Sequence, residues 1–263
     1  MIVIPCVQGE PSWFAARVGI PSASQFHRII SGKTGKALSG AEGYRNEMLA
    51  EWLLGSKLDT GSSQFMARGT ALEESAVRYY ELQREVDTTE VGFILHDTLA
   101  AGCSPDRLVG DGGGLEIKCP SPAVHVGYLL GGIDAHRVQV QGAMWITGRT
   151  WWDLMSYNPE LPPVLVRLER DESFIDKLGA EVAEFCHLLE LAKNVLRDKG
   201  YVSAERGGNG LPSGSSGEPL GATPESGHSP APTDDEPSEW ELTRRVAAAP
   251  PYFPTKLEVE HGL

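Results

Sequence analysis

The chain has 263 residues, enough for one full-sized domain with a substantial core, and no uncharged apolar run long enough to cross a bilayer. A net charge of −13 argues against indiscriminate adhesion to polyanions. The four cysteines, Cys6, Cys103, Cys119 and Cys186, lack the paired spacing of a zinc ribbon and read as small core residues rather than a disulfide scaffold. Met1 to Pro5 does not read as a signal peptide, so a reduced protein of the cytoplasm (the host cytoplasm if phage-encoded), without a membrane segment, is expected.

Charge is distributed unevenly. From Ser203 onward ten acidic residues face four basic ones, whereas the first 202 residues hold 26 acids and 19 bases. Between Glu10 and Glu42 lie Arg17, Arg28, Lys33 and Lys36 with no carboxylate among them. Such a local basic stretch attracts phosphate even on an acidic protein, because nearby charge counts most under screening.

In chain order, Ala41 to Leu54 places Tyr44, Met48, Leu49, Trp52 and Leu53 on one helical face, with Gly55 as the stop. A second helix is expected over Gln64 to Gln83, with Leu72, Ala76, Val77, Tyr80 and Leu82 as its apolar positions. Strands follow at Val91 to Leu95 and Leu115 to Cys119, then a helix over Ala135 to Thr147 ending at Gly148. Trp151 to Tyr157 and Val164 to Glu169 read as strands, and Asp171 to Lys199 as a long closing helix or helix pair. This order predicts a mixed α/β (α+β) domain over 1–202. Residues 203–239, rich in Gly, Ser and Pro, read as a disordered linker. Trp240, Leu242, Val246, Tyr252, Phe253 and Leu257 then make 240–263 a tail that is either frayed or a docking segment.

One cluster carries chemistry. Glu116 and Lys118 are two apart on an apolar strand, so they share one face while Leu115, Ile117 and Cys119 share the other. The turn Gly110 to Gly114 would fold the preceding segment back as a hairpin and bring Asp106 beside Glu116, with Asp111 as a turn residue. Carboxylates so placed suit a hard divalent cation, and an adjacent ammonium suits an attacking water. Taken alone the pattern is weak, and a salt-bridged surface strand explains it as well.

The neighbouring sequence changes that balance. Cys103-Ser104-Pro105-Asp106-Arg107-Leu108 followed by Gly114-Leu115-Glu116-Ile117-Lys118-Cys119-Pro120 resembles the lambda-exonuclease-like, YqaJ-type viral recombinase family of PD-(D/E)xK nucleases. Three further segments agree in order, Trp13 to Ser24, Arg68 to Glu73 and Gln139 to Trp145, and the similarity continues through Asn158-Pro159 and Glu169 to Glu172. The resemblance spans roughly residues 8 to 200 and implies a restriction-endonuclease-like core, a central mixed sheet flanked by helices. It implies that Asp106, Glu116 and the Ile117 carbonyl hold magnesium, for which manganese would substitute, with Glu73 completing the site and Lys118 as the catalytic lysine. Arg17, Ser24, Ser104 and Gln139 match the family's pocket for a 5′-terminal phosphate. Gln141, two residues along a helix from Gln139, is not expected to share it.

The family acts 5′ to 3′ on linear double-stranded DNA by two-metal hydrolysis and leaves a 3′ overhang for a single-strand-annealing recombinase. A ring-shaped homotrimer is implied by the same resemblance. Two departures stand out: a shorter segment between Lys118 and Gln139, and the extra tail after Ser203. The rival readings are a RecB-like or structure-selective endonuclease, and a DNA-end-binding module that has lost catalysis. The first lacks the clustered cysteines of an iron–sulfur centre, and the second sits badly with intact Asp106, Glu116 and Lys118. His136, near Gln139, and the six tryptophans are expected to serve packing.

Overall fold

The computed structural model describes residues 1–58 and 64–203; the linker and tail expected beyond Ser203 lie outside the described residues. The chain opens with β1 (Ile2–Ile4) and α1 (Pro11–Ala16), whose Pro11 fits a first helical turn because its missing N–H has no partner to lose there. A 3-10 turn (Ala23–Arg28) leads to α2 (Ala41–Leu54) and α3 (Gln64–Arg84). Short strands follow: β2 (Thr88–Thr89), β3 (Phe93–Leu95), β4 (Gly102–Cys103) and β5 (Arg107–Val109), before β6 (Gly113–Lys118). Then come α4 (Pro122–Leu129), a second 3-10 turn (Gly132–His136), α5 (Arg137–Thr147), β7 (Trp151–Ser156), β8 (Val164–Glu169) and α6 (Glu172–Asp198).

The helix over Ala41 to Leu54 and the strand over Val164 to Glu169 fall where periodicity put them. The helix expected from Ala135 instead begins with the 3-10 turn and becomes α-helical at Arg137. Leu82 departs from its assigned role: it is 82% exposed. It lies two residues from the buried Tyr80, about 200° round the helix, so the two cannot share a face.

A five-stranded sheet runs β2-β5-β6-β7-β8, and a three-stranded one β1-β3-β4. In the larger sheet β6 pairs antiparallel with β5 and parallel with β7. That parallel pair requires a crossover, and α4 and α5 supply it. Helix α3 covers one face, with Ala76, Val77 and Tyr80 packed among Leu115, Ile117 and Met155. The other face, with Trp152 and Leu154, meets α2, α5 and α6 in the main core. Glu116 and Lys118 thus sit on a strand sandwiched between helical layers.

The glycines before Glu116 do more than turn the chain. Gly110 has φ +49° and belongs to the turn, but Gly113 and Gly114 are already in β6, opposite Trp151 and Trp152. A Cβ on Gly113 would lie 2.0 Å from the Trp151 ring, and one on Gly114 2.5 Å from the Trp152 ring. Only a bare backbone lets both indoles pack against the strand. Arg149 Nη1 closes the same corner, donating to the carbonyls of Gly110 (2.7 Å) and Gly113 (2.6 Å).

Candidate active site

Three chain segments converge at the open end of β6. The β5–β6 pairing sets Arg107 opposite Leu115, which puts Asp106 beside Glu116. Asp106 Oδ2 accepts a hydrogen bond from the Ile117 N–H at 2.5 Å, so the carboxylate is fixed on the strand that carries the other two groups. Glu116, only 5% exposed, accepts at Oε1 from Lys118 Nζ (2.6 Å) and from Gln139 Nε2 (2.6 Å). Lys118 Nζ also donates to Gln139 Oε1 at 3.3 Å. Gln139 enters from the first turn of α5, facing β6.

Glu73 stands apart from this cluster. It is carried on α3 and lies 3.8 Å from Arg107 Nη1. Among the described residues no three His, Cys, Asp or Glu side chains are gathered closely enough to hold a metal ion. The charges nonetheless act on one another. Burial and the charges of Glu116 and Glu73 push the Asp106 carboxyl well above the usual aspartate range, against the opposing pull of Lys118 and the Ile117 N–H. Burial, opposed by Arg107 and reinforced by Glu116, likewise raises Glu73. For Lys118, burial disfavours the charge, but Glu116 and Asp106 outweigh it and the ammonium is held. Crowded oxygen donors that resist ionisation together are the donor set a divalent cation relieves, so the residues fit such an ion.

Beside the carboxylates lies a cavity of about 160 Å³, lined by Arg17, Ser24, Ser104, Asp106, Glu116 and Gln139 with Gln8 and Trp13. Arg17 closes α1 and stacks on Trp13, four residues earlier, its Cζ 4.0 Å from the ring centroid. Its only side-chain hydrogen bond among the described residues is a long one, 3.5 Å, to Ser22 Oγ, which lies 3.2 Å from Ser24 Oγ. The Arg17 Nε is buried with no partner. Burial lowers the pKa of the guanidinium, and no carboxylate approaches it within ion-pair distance among the described residues. A buried cation with an idle N–H, facing a cavity with two serine hydroxyls, is built for an anion.

Two residues of this cavity escaped the sequence reading. Trp13, expected to serve packing, donates from Nε1 to Ser104 Oγ (2.9 Å) and to the Gly92 carbonyl (3.1 Å), and so shapes the pocket wall. Gln8 Nε2 ties the Val91 carbonyl (2.9 Å) to the Pro105 carbonyl (2.8 Å) and steadies the segment that presents Asp106. The i, i+4 spacing of Trp13 and Arg17 was the available signal; Gln8 offered none. Gln141 is buried elsewhere, donating to the Glu169 carbonyl and accepting from the Asp171 N–H. His136 lies 2.9 Å from Tyr128 Oη and is pushed down to about 4 by burial and by Lys118, so it is neutral beside the site. None of the four cysteines is in a disulfide.

Comparison with known proteins agrees with this architecture. Residues 12–150 match the model of the YqaJ-like viral recombinase domain. The chain is 34% identical to the alkaline exonuclease LHK-Exo from Laribacter hongkongensis, with 73% of this chain and 98% of that one covered and a TM-score of 0.66. The structure of LHK-Exo in complex with dAMP matches with the same figures. A phage related exonuclease from Haemophilus somnus 129PT, 16% identical with a TM-score of 0.57 over 67% of this chain and 96% of that one, shares the fold. No curated protein matches the chain. Among the described residues no helix is long and apolar enough to cross a membrane.

Proposed function

The chain belongs to the YqaJ-like viral recombinase domain family, and from that premise we propose that it is a magnesium-dependent DNA exonuclease that digests linear duplex from the 5′ end. Family membership and the likeness to an alkaline exonuclease support a DNA exonuclease. The observation that carries the finer reading is the shared cavity: Arg17, Ser24 and Ser104 line the same space as Asp106 and Glu116. A terminal phosphate held by the first group sets which phosphodiester reaches the second, so the end itself fixes the register of cleavage. The relative's complex with dAMP is in keeping with release of mononucleotides.

Asp106, Glu116 and the Ile117 carbonyl would hold the metal, with Glu73 swinging from Arg107 to complete the set. Bound there, the ion would supply Lewis-acid stabilisation of the phosphoryl oxygens and a more acidic water. The protein's own groups do the rest. Lys118, protonated and two residues from Glu116, orients the attacking water and offsets the charge that develops on the phosphate. Arg17 and the serine hydroxyls bind the terminal phosphate, and Gln139 holds Glu116 and Lys118 in register. Digestion from one end leaves a 3′ overhang, the substrate of a single-strand-annealing protein. A ring-shaped trimer would keep an acidic protein on its DNA without strong local affinity.

End-labelled, 5′-phosphorylated linear duplex incubated with magnesium should lose its 5′ label first, while a covalently closed circle survives. Lys118→Ala should lower turnover by about 10²–10⁴-fold. Equal attack on circles, or loss of the 3′ label first, would sink the reading. In the same assay Arg17→Ala should erase most of the preference for a 5′-phosphate over a 5′-hydroxyl end; an unchanged preference removes Arg17 from the pocket.

A further inference from the structure

The basic stretch between Glu10 and Glu42 divides in the structure. Arg17 turns into the cavity, and Arg28 is neutralised by Glu47 through two bonds of 2.7 and 2.6 Å. Lys33 and Lys36 remain exposed and have no carboxylate within ion-pair distance among the described residues. Lys33 lies within, and Lys36 ends, a tight turn closed by the Gly35 N–H to the Ser31 carbonyl and the Ser31 N–H to the Lys36 carbonyl, both 2.9 Å.

A third lysine from far along the chain joins them. The stem of Lys177, on the first turns of α6, lies against Gly35, where even a Cβ would come within 2.7 Å of its Cδ. Lys177 is also exposed and has no ion pair among the described residues. Asp171 caps α6 and pairs with Arg137, Glu172 pairs with Arg170, and Glu181, one turn on from Lys177, makes no ion pair with it among the described residues. Asp176 is exposed beside Lys177 in sequence but about 100° round the helix from it.

The turn is built onto the catalytic scaffold. The Gly32 carbonyl accepts from Arg137 Nη1 at 3.2 Å, and a Cβ on Gly32 would meet Val138 at 2.9 Å. Val138 directly precedes Gln139, whose amide holds Glu116 and Lys118. The lysine-bearing turn is thereby fixed to the helix that carries Gln139, and it presents three solvent-facing ammoniums. We propose that Lys33, Lys36 and Lys177 form a landing surface for backbone phosphates of duplex DNA outside the catalytic cavity. Point-like ammoniums on flexible stems suit sequence-independent phosphate contact, and on an acidic domain an unpaired cluster is where a polyanion settles. The inference rests on the exonuclease reading above and adds the path of the duplex to it.

The test measures binding of a 5′-phosphorylated, 3′-labelled duplex of about 30 base pairs by fluorescence anisotropy, in EDTA and over a range of salt, with full-length protein. Each phosphate contact contributes about 0.9 to the slope of log K against log salt for duplex DNA. The K33Q/K36Q/K177Q variant should therefore show a slope shallower by about 2 to 3. Each single variant should lower it by about 0.9. Lys199→Gln, at the far end of α6, should match the wild type. A triple variant with the wild-type slope overturns the proposal, as does a change on single-stranded DNA alone. If the wild type degrades duplex yet the slopes coincide, only the landing surface fails. If the wild type neither binds nor degrades duplex, the exonuclease reading fails with it.

Discussion

The central sheet buries acidic residues on both faces and treats them in opposite ways. On the α3 face Asp153, 0% exposed, accepts from Tyr80 Oη at 2.8 Å and from Arg167 Nε and Nη2 at 2.7 and 2.9 Å. Arg167 stands directly across the ladder on β8 and lies over the Trp151 ring, 3.6 Å from Cζ to centroid. That carboxylate has a full set of donors. On the α5 face Asp106 and Glu116 crowd each other with Lys118 as the shared cation, Glu73 adds its charge from α3, and the pKa values of Asp106 and Glu73 are raised. The satisfied cluster stabilises the fold, and the crowded one keeps an excess of negative charge that a cation can offset.

The largest expected effect on stability tests the satisfied side. Asp153→Ala leaves Tyr80 and Arg167 facing a vacancy and should cost about 3 kcal/mol, reduced from the fully buried case because Arg167 reaches solvent. Thermal or denaturant unfolding measures it, and nuclease activity per folded molecule should be unchanged. A loss below about 1 kcal/mol would mean that this face is not the firmer one.

A smaller effect separates packing from charge. Gly114→Ala drives a Cβ into the Trp152 ring and should cost about 1–3 kcal/mol, read as a lower denaturant midpoint with an unchanged slope.

The smallest effect has the opposite sign. Asp106→Asn keeps an oxygen for the Ile117 N–H and removes one repelling charge, so the metal-free protein should gain on the order of 1 kcal/mol. The gain depends on pH. Because folding raises the Asp106 pKa, the folded state holds its proton longer than the unfolded chain. Wild-type stability is greatest below the ordinary aspartate range and falls as pH rises toward the raised value. Asp106→Asn should flatten that fall. Magnesium should stabilise the wild type, by about 2.7 kcal/mol at a hundredfold excess over Kd, and the variant much less. A variant destabilised without metal at neutral pH would contradict the account of the crowded face.

Much of this contrast was legible in sequence on one side only. Glu116 and Lys118 share a strand, the Gly-rich corner returns Asp106 to them, and ordered motifs marked the family that the comparisons bear out. The Asp153 cluster left no local trace, since Tyr80 is 73 residues away and the pairing exists only once α3 lies on β7. β2, β4 and β5 are too short to show a period. Gly113 and Gly114 were read as turn because the need for bare backbone comes from Trp151 and Trp152, on a strand formed much later in the chain. Lys177 could not be joined to Lys33 and Lys36 for the same reason.

The Trp13 indole carries a further consequence. Its N–H, shared with the Gly92 carbonyl at 3.1 Å, can only give a hydrogen, so the Ser104 oxygen 2.9 Å away accepts through a lone pair. With that lone pair taken, the rotor of the serine hydroxyl no longer gains from turning its own hydrogen toward the ring, and the polarity of the bond is settled before any ligand arrives. The hydrogen of Ser104 is then free to turn toward the cavity that this residue lines, so the tryptophan leaves the serine able to act there as a donor.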